Sequence, residues 1–305
     1  MDIVFMGSPE FAVPSLEKIE ASDHRILAVV TNVDKRRGRG PGRSPTAVKK
    51  RALELELPVI EVEDLTDQHF EKQLAGLGAD LFVVVAFRIL PSNILDIPDE
   101  GSINLHASLL PKYRGAAPIH WAIINGEEET GCTVFLLNEE VDAGLILKQE
   151  STPIGENETT GDLYERLKQI GSSLLLETLD EMEEGVHNPR EQDDAKATPA
   201  PKLYTEDCKI DFGKPAREVH NFIRGLSPFP TAWAELDDLK FNIYRSRIGP
   251  ENRELRQGEL KLEGDEMLAG CGEGTVVLEE VQIEGKRRMS GKAFMNGYSG
   301  IGVLH

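Results

Sequence analysis

The chain of 305 residues contains only three cysteines, Cys132, Cys208 and Cys271, and no Cys-x-x-Cys pair. Structural zinc sites and disulfide frameworks need closely spaced sets of cysteines, so this scarcity argues against both. The longest apolar run, residues 81–87, is far too short to cross a bilayer. No signal or transit segment precedes the first predicted strand, residues 2–6, and we therefore expect a cytoplasmic protein with no membrane association.

The chain also lacks a dinucleotide fingerprint and an excess of positive charge. Gly7-Ser8-Pro9 follows the first predicted strand without the Gly-x-Gly-x-x-Gly pattern of dinucleotide sites. The net charge is -19, which disfavours extended contact with phosphates. Between residues 34 and 51, however, eight Lys or Arg residues accompany a single acid, Asp34. A concentrated basic segment on an acidic protein can direct an anionic partner to one place.

The first part of the chain alternates predicted strands and helices. This alternation favours βαβ units and a Rossmann-like, mainly parallel sheet, an α/β fold. Ligands bind such sheets beyond the carboxyl ends of the strands, where the segments after Phe87 and Ala107 are expected to lie. The predicted strands are 2–6, 24–31, 59–60, 81–87, 102–107, 130–137 and 145–150, and the predicted helices are 9–19, 46–57, 70–77, 92–95 and 119–125.

A second domain is predicted at the carboxyl end of the chain. Thr159 and Asp162 form a variant of the capping box for a long helix that extends to about Glu184. A polar, proline-containing stretch follows and suggests a domain boundary. Beyond it, a helix over residues 214–225 and closely spaced short strands predict a small β-barrel. The predicted division is 1–188 for the first domain, 189–208 for the linker and 209–305 for the second domain.

Asn104 and His106 are two residues apart in a predicted strand, Ser102-Ile-Asn-Leu-His-Ala107. Side chains at that spacing leave a strand on the same face. An amide that stabilises an oxyanion would then lie beside an imidazole that carries protons. Asp142, in the turn Val141-Asp-Ala-Gly144, could orient the imidazole. Each residue also has an ordinary interpretation, a core histidine or a turn-forming aspartate, but the set without a nucleophile suggests direct acyl transfer to an amine.

A longer motif decides between these interpretations. Asn104-x-His106-x-Ser108-Leu-Leu-Pro-x-x-Arg114-Gly-Ala-Ala-Pro118, followed by Glu129-Thr-Gly131 and Val141-Asp142-x-Gly144, resembles the signature of the folate-dependent formyltransferases. The resemblance runs from the first strand to the end of the chain. It implies 10-formyltetrahydrofolate as formyl donor, the α-amino group of methionine on initiator Met-tRNA as acceptor, and no metal.

The resemblance also implies a role for each domain and each site residue. Residues 1–188 would be the formyltransferase catalytic domain, and residues 209–305 an OB-like domain that binds tRNA. Asn104, His106 and Asp142 would be catalytic. The folate pocket would involve eight residues, Ser108, Leu109, Leu110, Pro111, Phe87, Arg88, Ile89 and Leu90. Arg88-Ile-Leu departs from the common tRNA-formylating pattern and looks more like related formyltransferases.

The basic segment matches the position of the family's tRNA-contacting insertion. Arg36, Arg37, Arg39 and Arg43 are the predicted tRNA contacts, and Arg39 within Gly38-Arg-Gly40 is the best single match. The ordinary interpretation of such a charge run is a solvated, mobile loop. We expect the protein to act as a monomer.

Three other functions remain open from the sequence. The acceptor could be an amino-sugar nucleotide, with the same three catalytic residues and folate. It could also be water, as in the hydrolase-like domain of formyltetrahydrofolate dehydrogenase. A catalytically silent RNA-binding module is a third possibility, but the complete set Asn104, His106 and Asp142 argues against it.

Overall fold

The computed structural model describes residues 1–36, 43–250, 255–298, 300 and 302–305, with only the backbone of Lys35, Arg36 and Arg43. These residues form two compact units whose segments interleave along the chain. Unit 1 comprises Met1–Gly115, Gly131–Thr152 and Glu165–Pro199, and unit 2 comprises Ala116–Thr130, Pro153–Tyr164 and Ala200–His305. The domain division predicted from the sequence stays a prediction.

The regular elements of the described residues follow in chain order. The strands are β1 (Asp2–Gly7), β2 (Arg25–Asn32), β3 (Lys35–Arg36), β4 (Arg43–Ser44), β5 (Val59–Val62), β6 (Leu81–Val85), β7 (Ser102–His106), β8 (Glu129–Leu136), β9 (Ile146–Pro153), β10 (Ala232–Leu236), β11 (Leu239–Ile248), β12 (Leu260–Glu263), β13 (Glu266–Gly270), β14 (Thr275–Ile283) and β15 (Met289–Ser290). The α-helices are α1 (Val13–Glu20), α2 (Ala47–Glu54), α3 (Gln68–Ala75), α4 (Ser92–Leu95), α5 (Pro118–Ile124), α6 (Thr160–Glu183), α7 (Ala216–Gly225) and α8 (Gly291–Gly297). Short 3-10 helices span Glu10–Ala12, Asp194–Lys196 and Glu206–Cys208.

A seven-stranded sheet has the order β5-β2-β1-β6-β7-β8-β9. The pairs β2–β5, β1–β2, β1–β6 and β6–β7 are parallel, and β7 pairs antiparallel with β8. This mainly parallel arrangement confirms the Rossmann-like prediction. The strand order reverses direction between β1 and β6, so the carboxyl ends of β6 and β7 open onto a crevice where ligands bind in such sheets.

The central strands are apolar because helices and loops cover both faces of the sheet. All five residues of β6 are buried. The apolar run in the sequence continues to Phe87, but the strand ends at Val85 because Ala86 has φ +50, a left-handed conformation that cannot continue a strand. The ladder therefore stops two residues earlier than predicted, and Phe87 lies in the loop.

Helix α6 lies close against the strand that carries Asn104 and His106. Its Gly171 has no side chain, and a Cβ there would be 2.9 Å from Leu105 and 3.1 Å from the Cys132 sulfur. At the start of the helix, Thr159 and Asp162 exchange the predicted capping-box hydrogen bonds at 3.1 and 3.2 Å. Burial raises the pKa of the Cys132 thiol to about 12.

Unit 2 contains an antiparallel sheet of order β10-β11-β14-β13-β12, with β15 added to β14. The terminal residues join its two outer strands. The backbone of His305 pairs with that of Glu235 in β10 at 2.8 and 2.9 Å, and Leu260 in β12 donates to the Gly302 carbonyl at 2.8 Å. The terminal residues thus close the sheet into a barrel that has no free edge, which confirms the predicted OB-like barrel.

The closure predicts that Leu304 is important for the stability of unit 2. Its side chain is 3% exposed and belongs to the barrel core. Replacing Leu304 with Ala should lower the free energy of unfolding by about 2–5 kcal/mol, since it leaves a cavity. Both tryptophans, Trp121 and Trp233, lie in unit 2, so urea unfolding followed by tryptophan fluorescence reports on this unit. Leu239→Ala, at a leucine that is 42% exposed, is the control and should have little effect.

Candidate active site

A cleft in unit 1 lies beyond the carboxyl ends of β6 and β7. Two of the three predicted catalytic residues, Asn104 and Asp142, are part of its wall. Apolar side chains form much of the surface, and polar groups converge on it from the β7 strand and from the turn after β8. The lining residues are Val84, Phe87, Arg88, Ile89, Leu90, Leu95, Asn104, Leu137, Asn138, Glu139, Glu140, Val141 and Asp142.

Three residues in loops near the cleft have left-handed backbone conformations. Ala86, Tyr113 and Asp142 have φ values of +50, +63 and +53. A residue with a Cβ adopts this conformation at a cost, so the surrounding structure must hold it there. Such positions often occur at functional sites, where the backbone aims a side chain that an ordinary strand or helix could not aim.

Asn104 is fixed by the ladder on both sides of β7. It pairs with Val84 of β6 and with Phe135 of β8. Its side chain is partly exposed and reaches the cleft. Because the neighbouring strands hold the backbone rigidly, the amide has a fixed origin from which to donate a hydrogen bond to a ligand oxygen.

His106 is buried, with 6% of its surface exposed, and it does not line the cleft directly. Its Nε2 lies 2.8 Å from the Tyr113 carbonyl oxygen. A carbonyl only accepts hydrogen bonds, so Nε2 must carry the proton of this bond. Nδ1 then faces Asp142, whose Oδ2 is 3.7 Å away. The edge of the Phe135 ring packs against the imidazole in a T-shaped contact with a centroid separation of 6.5 Å.

The carboxylate of Asp142 is held from a second direction. Its Oδ2 accepts a hydrogen bond of 2.8 Å from the Gly115 backbone N–H. Gly144, two residues later, lies directly on β8, since a Cβ at that position would be 1.7 Å from the Leu136 carbonyl oxygen. The glycine of Val141-Asp-Ala-Gly144 is thus required by close backbone approach. The structure therefore brings Asn104, His106 and Asp142 together at the predicted edge of the sheet.

Sequence reasoning missed the segment 190–198, which it assigned to the linker, residues 189–208. Gln192 donates hydrogen bonds to the carbonyl oxygens of Asp142 and Gly144 at 2.9 and 2.8 Å. Thr198 Oγ1 accepts a hydrogen bond of 2.9 Å from the Tyr113 N–H. No periodicity marks these residues; the only signal was an isolated amide side chain in a charged stretch.

The predicted folate residues fall into two groups. Phe87, Arg88, Ile89 and Leu90 line the cleft together with Asn104 and Asp142. Ile89 is 74% exposed, which is unusual for a large apolar side chain. Ser108–Pro111 does not line the cleft: Ser108 is buried and donates to the Lys112 carbonyl at 2.6 Å, while the Leu110 N–H bonds to Thr133.

Arg88 braces the loop that follows β6. Its Nη1 and Nη2 donate to the carbonyl oxygens of Glu63 and Val62 at 2.8 Å each. Its Nε–H is buried and has no hydrogen-bond partner within the described part of the chain. Burial lowers the pKa of the guanidinium.

Comparison with known proteins places this geometry in a family. The family model described as "Formyl transferase" matches residues 1–179, and "Formyl transferase, C-terminal domain" matches residues 202–299. The chain belongs to the formyl transferase family. The methionyl-tRNA formyltransferase of Porphyromonas gingivalis is 42% identical over 309 residues, covering 97% of this chain and 95% of that protein. The methionyl-tRNA formyltransferase of Heliobacterium modesticaldum is 44% identical over 307 residues, covering 97% of each.

A solved structure resembles this formyl transferase in fold. It is the sugar 3N-formyl transferase WlaRD in the presence of dTDP and 5-N-formyl-THF. The TM-score is 0.70 at 20% identity, covering 94% of this chain and 99% of that one. At this identity, the likeness concerns the fold alone.

The predicted tRNA contacts lie at the edge of what the structure describes. Arg37 and Arg39 are outside the described residues. Arg36 and Arg43 occupy directly opposite backbone positions in an antiparallel ribbon formed by β3 and β4. The predicted loop is therefore preceded and followed by paired backbone, and Arg36 and Arg43 are the paired residues next to it.

Neither a cluster of metal ligands nor a membrane-spanning helix occurs among the described residues. No group of three or more His, Cys, Asp or Glu residues is placed to hold a metal ion within the described ranges. No helix in this part of the formyl transferase is long and apolar enough to cross a membrane.

The close approach at Gly144 predicts a sensitive position. Gly144→Ala should push the Asp142 turn away from β8, because a methyl group has no room beside the Leu136 carbonyl oxygen. We expect the stability of unit 1 to fall by about 1–3 kcal/mol, as for other overpacked sites. Hydrogen exchange of unit 1 amides measures this loss. Gly297→Ala, where a Cβ would meet nothing within 4 Å, is the matched control, and an equal loss there would contradict the explanation.

Proposed function

We propose that this protein transfers the formyl group of 10-formyltetrahydrofolate to the α-amino group of methionine on initiator Met-tRNA. The observation that carries the proposal is the identity of 42–44% with methionyl-tRNA formyltransferases over nearly the whole chain. The cleft supports it, since Asn104, His106 and Asp142 suit acyl transfer to an amine. Transfer at this step would serve the start of protein synthesis, and we expect a cytoplasmic monomer.

The cleft residues suit a reduced pterin. A flat heteroaromatic ring needs apolar walls and hydrogen-bonding groups at its edge, and ligand pockets commonly combine the two. Phe87, Leu90 and Leu137 supply apolar surface, while the peptide groups of the loops and the Asn138 amide supply donors and acceptors. Phe87–Leu90 would hold the ring directly. Ser108–Pro111 is proposed to shape the pocket from behind.

The three polar residues then take distinct roles. The bound folate supplies the formyl group. Asn104 donates a hydrogen bond to the formyl oxygen as negative charge develops there, and such a donor is worth about 3 kcal/mol. His106 exchanges a proton through Nδ1, since the Tyr113 carbonyl engages Nε2. Asp142 faces that nitrogen, with its Oδ2 3.7 Å from Nδ1, and orients the imidazole.

The tRNA would be bound by local basic groups, because the protein as a whole is acidic. Arg36, Arg37, Arg39 and Arg43 are proposed as phosphate contacts. Residues 209–305 would add a second surface. In unit 2, Lys209 and Lys240 lie 5.4 and 4.9 Å from the Trp233 ring centroid, and Arg288 lies 3.4 Å from that of Tyr244. Trp233 is partly exposed, and cations stacked on accessible aromatic rings are a feature of surfaces that bind nucleic acid.

The acceptor is tested by supplying 10-formyltetrahydrofolate with Met-tRNA, with free methionine or with an amino-sugar nucleotide. Formyl transfer to Met-tRNA is expected. Asn104→Ala should lower kcat by about 100- to 1,000-fold, because the oxyanion donor is lost, while donor binding stays nearly unchanged. Asn188→Ala, at an exposed asparagine, is the control. Transfer only to the sugar would overturn the proposed acceptor, and a near wild-type rate for Asn104→Ala would overturn the oxyanion role.

The basic segment is tested separately. Arg36→Ala, Arg39→Ala and Arg43→Ala should each raise the KM for Met-tRNA and leave the KM for the folate donor unchanged. Each lost phosphate contact should also reduce the slope of log binding constant against log salt by about one. Lys72→Ala, at an exposed lysine of α3, is the control. If tRNA kinetics are identical to wild type at every salt concentration, the segment is only a solvated surface.

A further inference from the structure

The side-chain amide of Gln192 joins its own segment to Arg114 and to the turn that contains Asp142 and Gly144. Its Nε2 donates to the carbonyl oxygens of Asp142 and Gly144 at 2.9 and 2.8 Å. Its Oε1 accepts from Nε and Nη2 of Arg114 at 3.1 and 2.8 Å. Four hydrogen bonds fill the two donor and two acceptor positions of a glutamine side chain, so its orientation is fully determined.

The Asp142 turn depends on such support. Asp142 has φ +53, and the preceding side chain, Val141, is 52% exposed and does not anchor the turn in the core. A left-handed residue persists only where its surroundings hold it. Gln192 binds the backbone on both sides of Ala143, while the Gly115 N–H binds the carboxylate itself. Without the amide, two carbonyl groups lose their partner at the place where the backbone is strained.

The same segment also holds the other partner of His106. Thr198 Oγ1 accepts from the Tyr113 N–H, and the Thr198 carbonyl accepts from the Arg114 N–H, both at 2.9 Å. The Tyr113 carbonyl accepts from His106 Nε2. Residues 192–198 therefore bind the backbone of Asp142 and of Tyr113, the two residues that face the imidazole nitrogens.

We propose that Gln192 is a positioning residue for the reaction, which holds the Asp142 carboxylate opposite Nδ1 of His106. The inference rests on the proposed function, because it assigns a role within that chemistry. Gln192 does not line the cleft. Its removal should therefore affect turnover through Asp142 and leave folate binding almost intact.

A double-mutant cycle tests the route of action. Gln192→Ala should lower kcat for formyl transfer to Met-tRNA by about a hundredfold, as small displacements of catalytic groups do, with the donor KM little changed. In an Asp142→Asn background the same change should alter kcat by no more than about twofold, since the group it positions is already lost. Equal losses in both backgrounds would overturn the proposal, because they would indicate a general structural effect.

Two further variants control for folding. Gln192→Glu keeps an oxygen for Arg114 but removes the donors to Asp142 and Gly144, so it should fold and still lose turnover. Glu191→Ala, at the exposed neighbouring side chain, should keep wild-type kinetics. A Gln192→Glu enzyme as active as wild type would contradict the positioning role.

A readout without substrate separates this proposal from the proposed function. The Gly115 amide proton is bonded to Asp142, so its exchange, measured by NMR in the free protein, should accelerate in Gln192→Ala and in Asp142→Ala but not in Glu191→Ala. If the wild type does not formylate Met-tRNA and this pattern holds, the function is wrong and the positioning stands. If the wild type does formylate Met-tRNA and Gly115 exchange is unchanged in Gln192→Ala, the positioning is wrong.

Discussion

The imidazole of His106 is constrained at both nitrogens, and the site is arranged around that constraint. Nε2 faces a carbonyl that can only accept a hydrogen bond, and Nδ1 faces a carboxylate 3.7 Å away. Because the Tyr113 carbonyl can only accept, Nε2 is the donor in the first contact and Nδ1 is the nitrogen that faces Asp142. Because the ring is buried and packs edge-on to Phe135, it cannot turn to choose other partners. The segments around Tyr113 and Asp142 must therefore be held accurately.

The parallel sheet supplies the fixed part of this arrangement. Neighbouring strands hold β7 on both sides, so Asn104 and His106 have defined positions on one face. Loops supply the other groups, and they do so from strained conformations at Ala86, Tyr113 and Asp142. Hydrogen bonds between residues that are distant in sequence compensate for that strain. Arg88 donates to the Val62 carbonyl at the end of β5, and Gln192 donates to the Asp142 carbonyl in the turn. The division between a rigid scaffold and supported loops is common in enzymes of this fold class.

The protein is acidic overall, and in the sequence its positive residues are concentrated between residues 34 and 51. In unit 1 the base of the basic segment is a two-stranded ribbon with Arg36 opposite Arg43. In unit 2 the cations lie over aromatic rings of the barrel. Positive charge is therefore grouped locally in a protein that is acidic overall.

The sequence by itself determined the features that depend on periodicity and local motifs. Alternating strands and helices indicated the parallel sheet, the spacing of Asn104 and His106 indicated a shared face, and Thr159 with Asp162 indicated the start of α6. A helix or strand pattern is local, so it can be recognised without knowing the fold. The end of β6 was predicted two residues too late, because a left-handed alanine leaves no mark in an apolar run.

Only the tertiary structure decided which distant groups meet. Two of the contacts are made by backbone groups: the Tyr113 carbonyl binds Nε2 of His106, and the Gly115 N–H binds Asp142. The third is made by the side-chain amide of Gln192, which lies in a stretch without periodicity. Ser108–Pro111 likewise belongs to the recognised motif, yet its polar groups bond internally. The hydrogen bond from Tyr113 to Thr198 joins residues 85 positions apart and depends on how the chain returns to the sheet. Nothing in the local sequence specifies that return, because any peptide group can donate or accept a hydrogen bond and only the fold selects its partner.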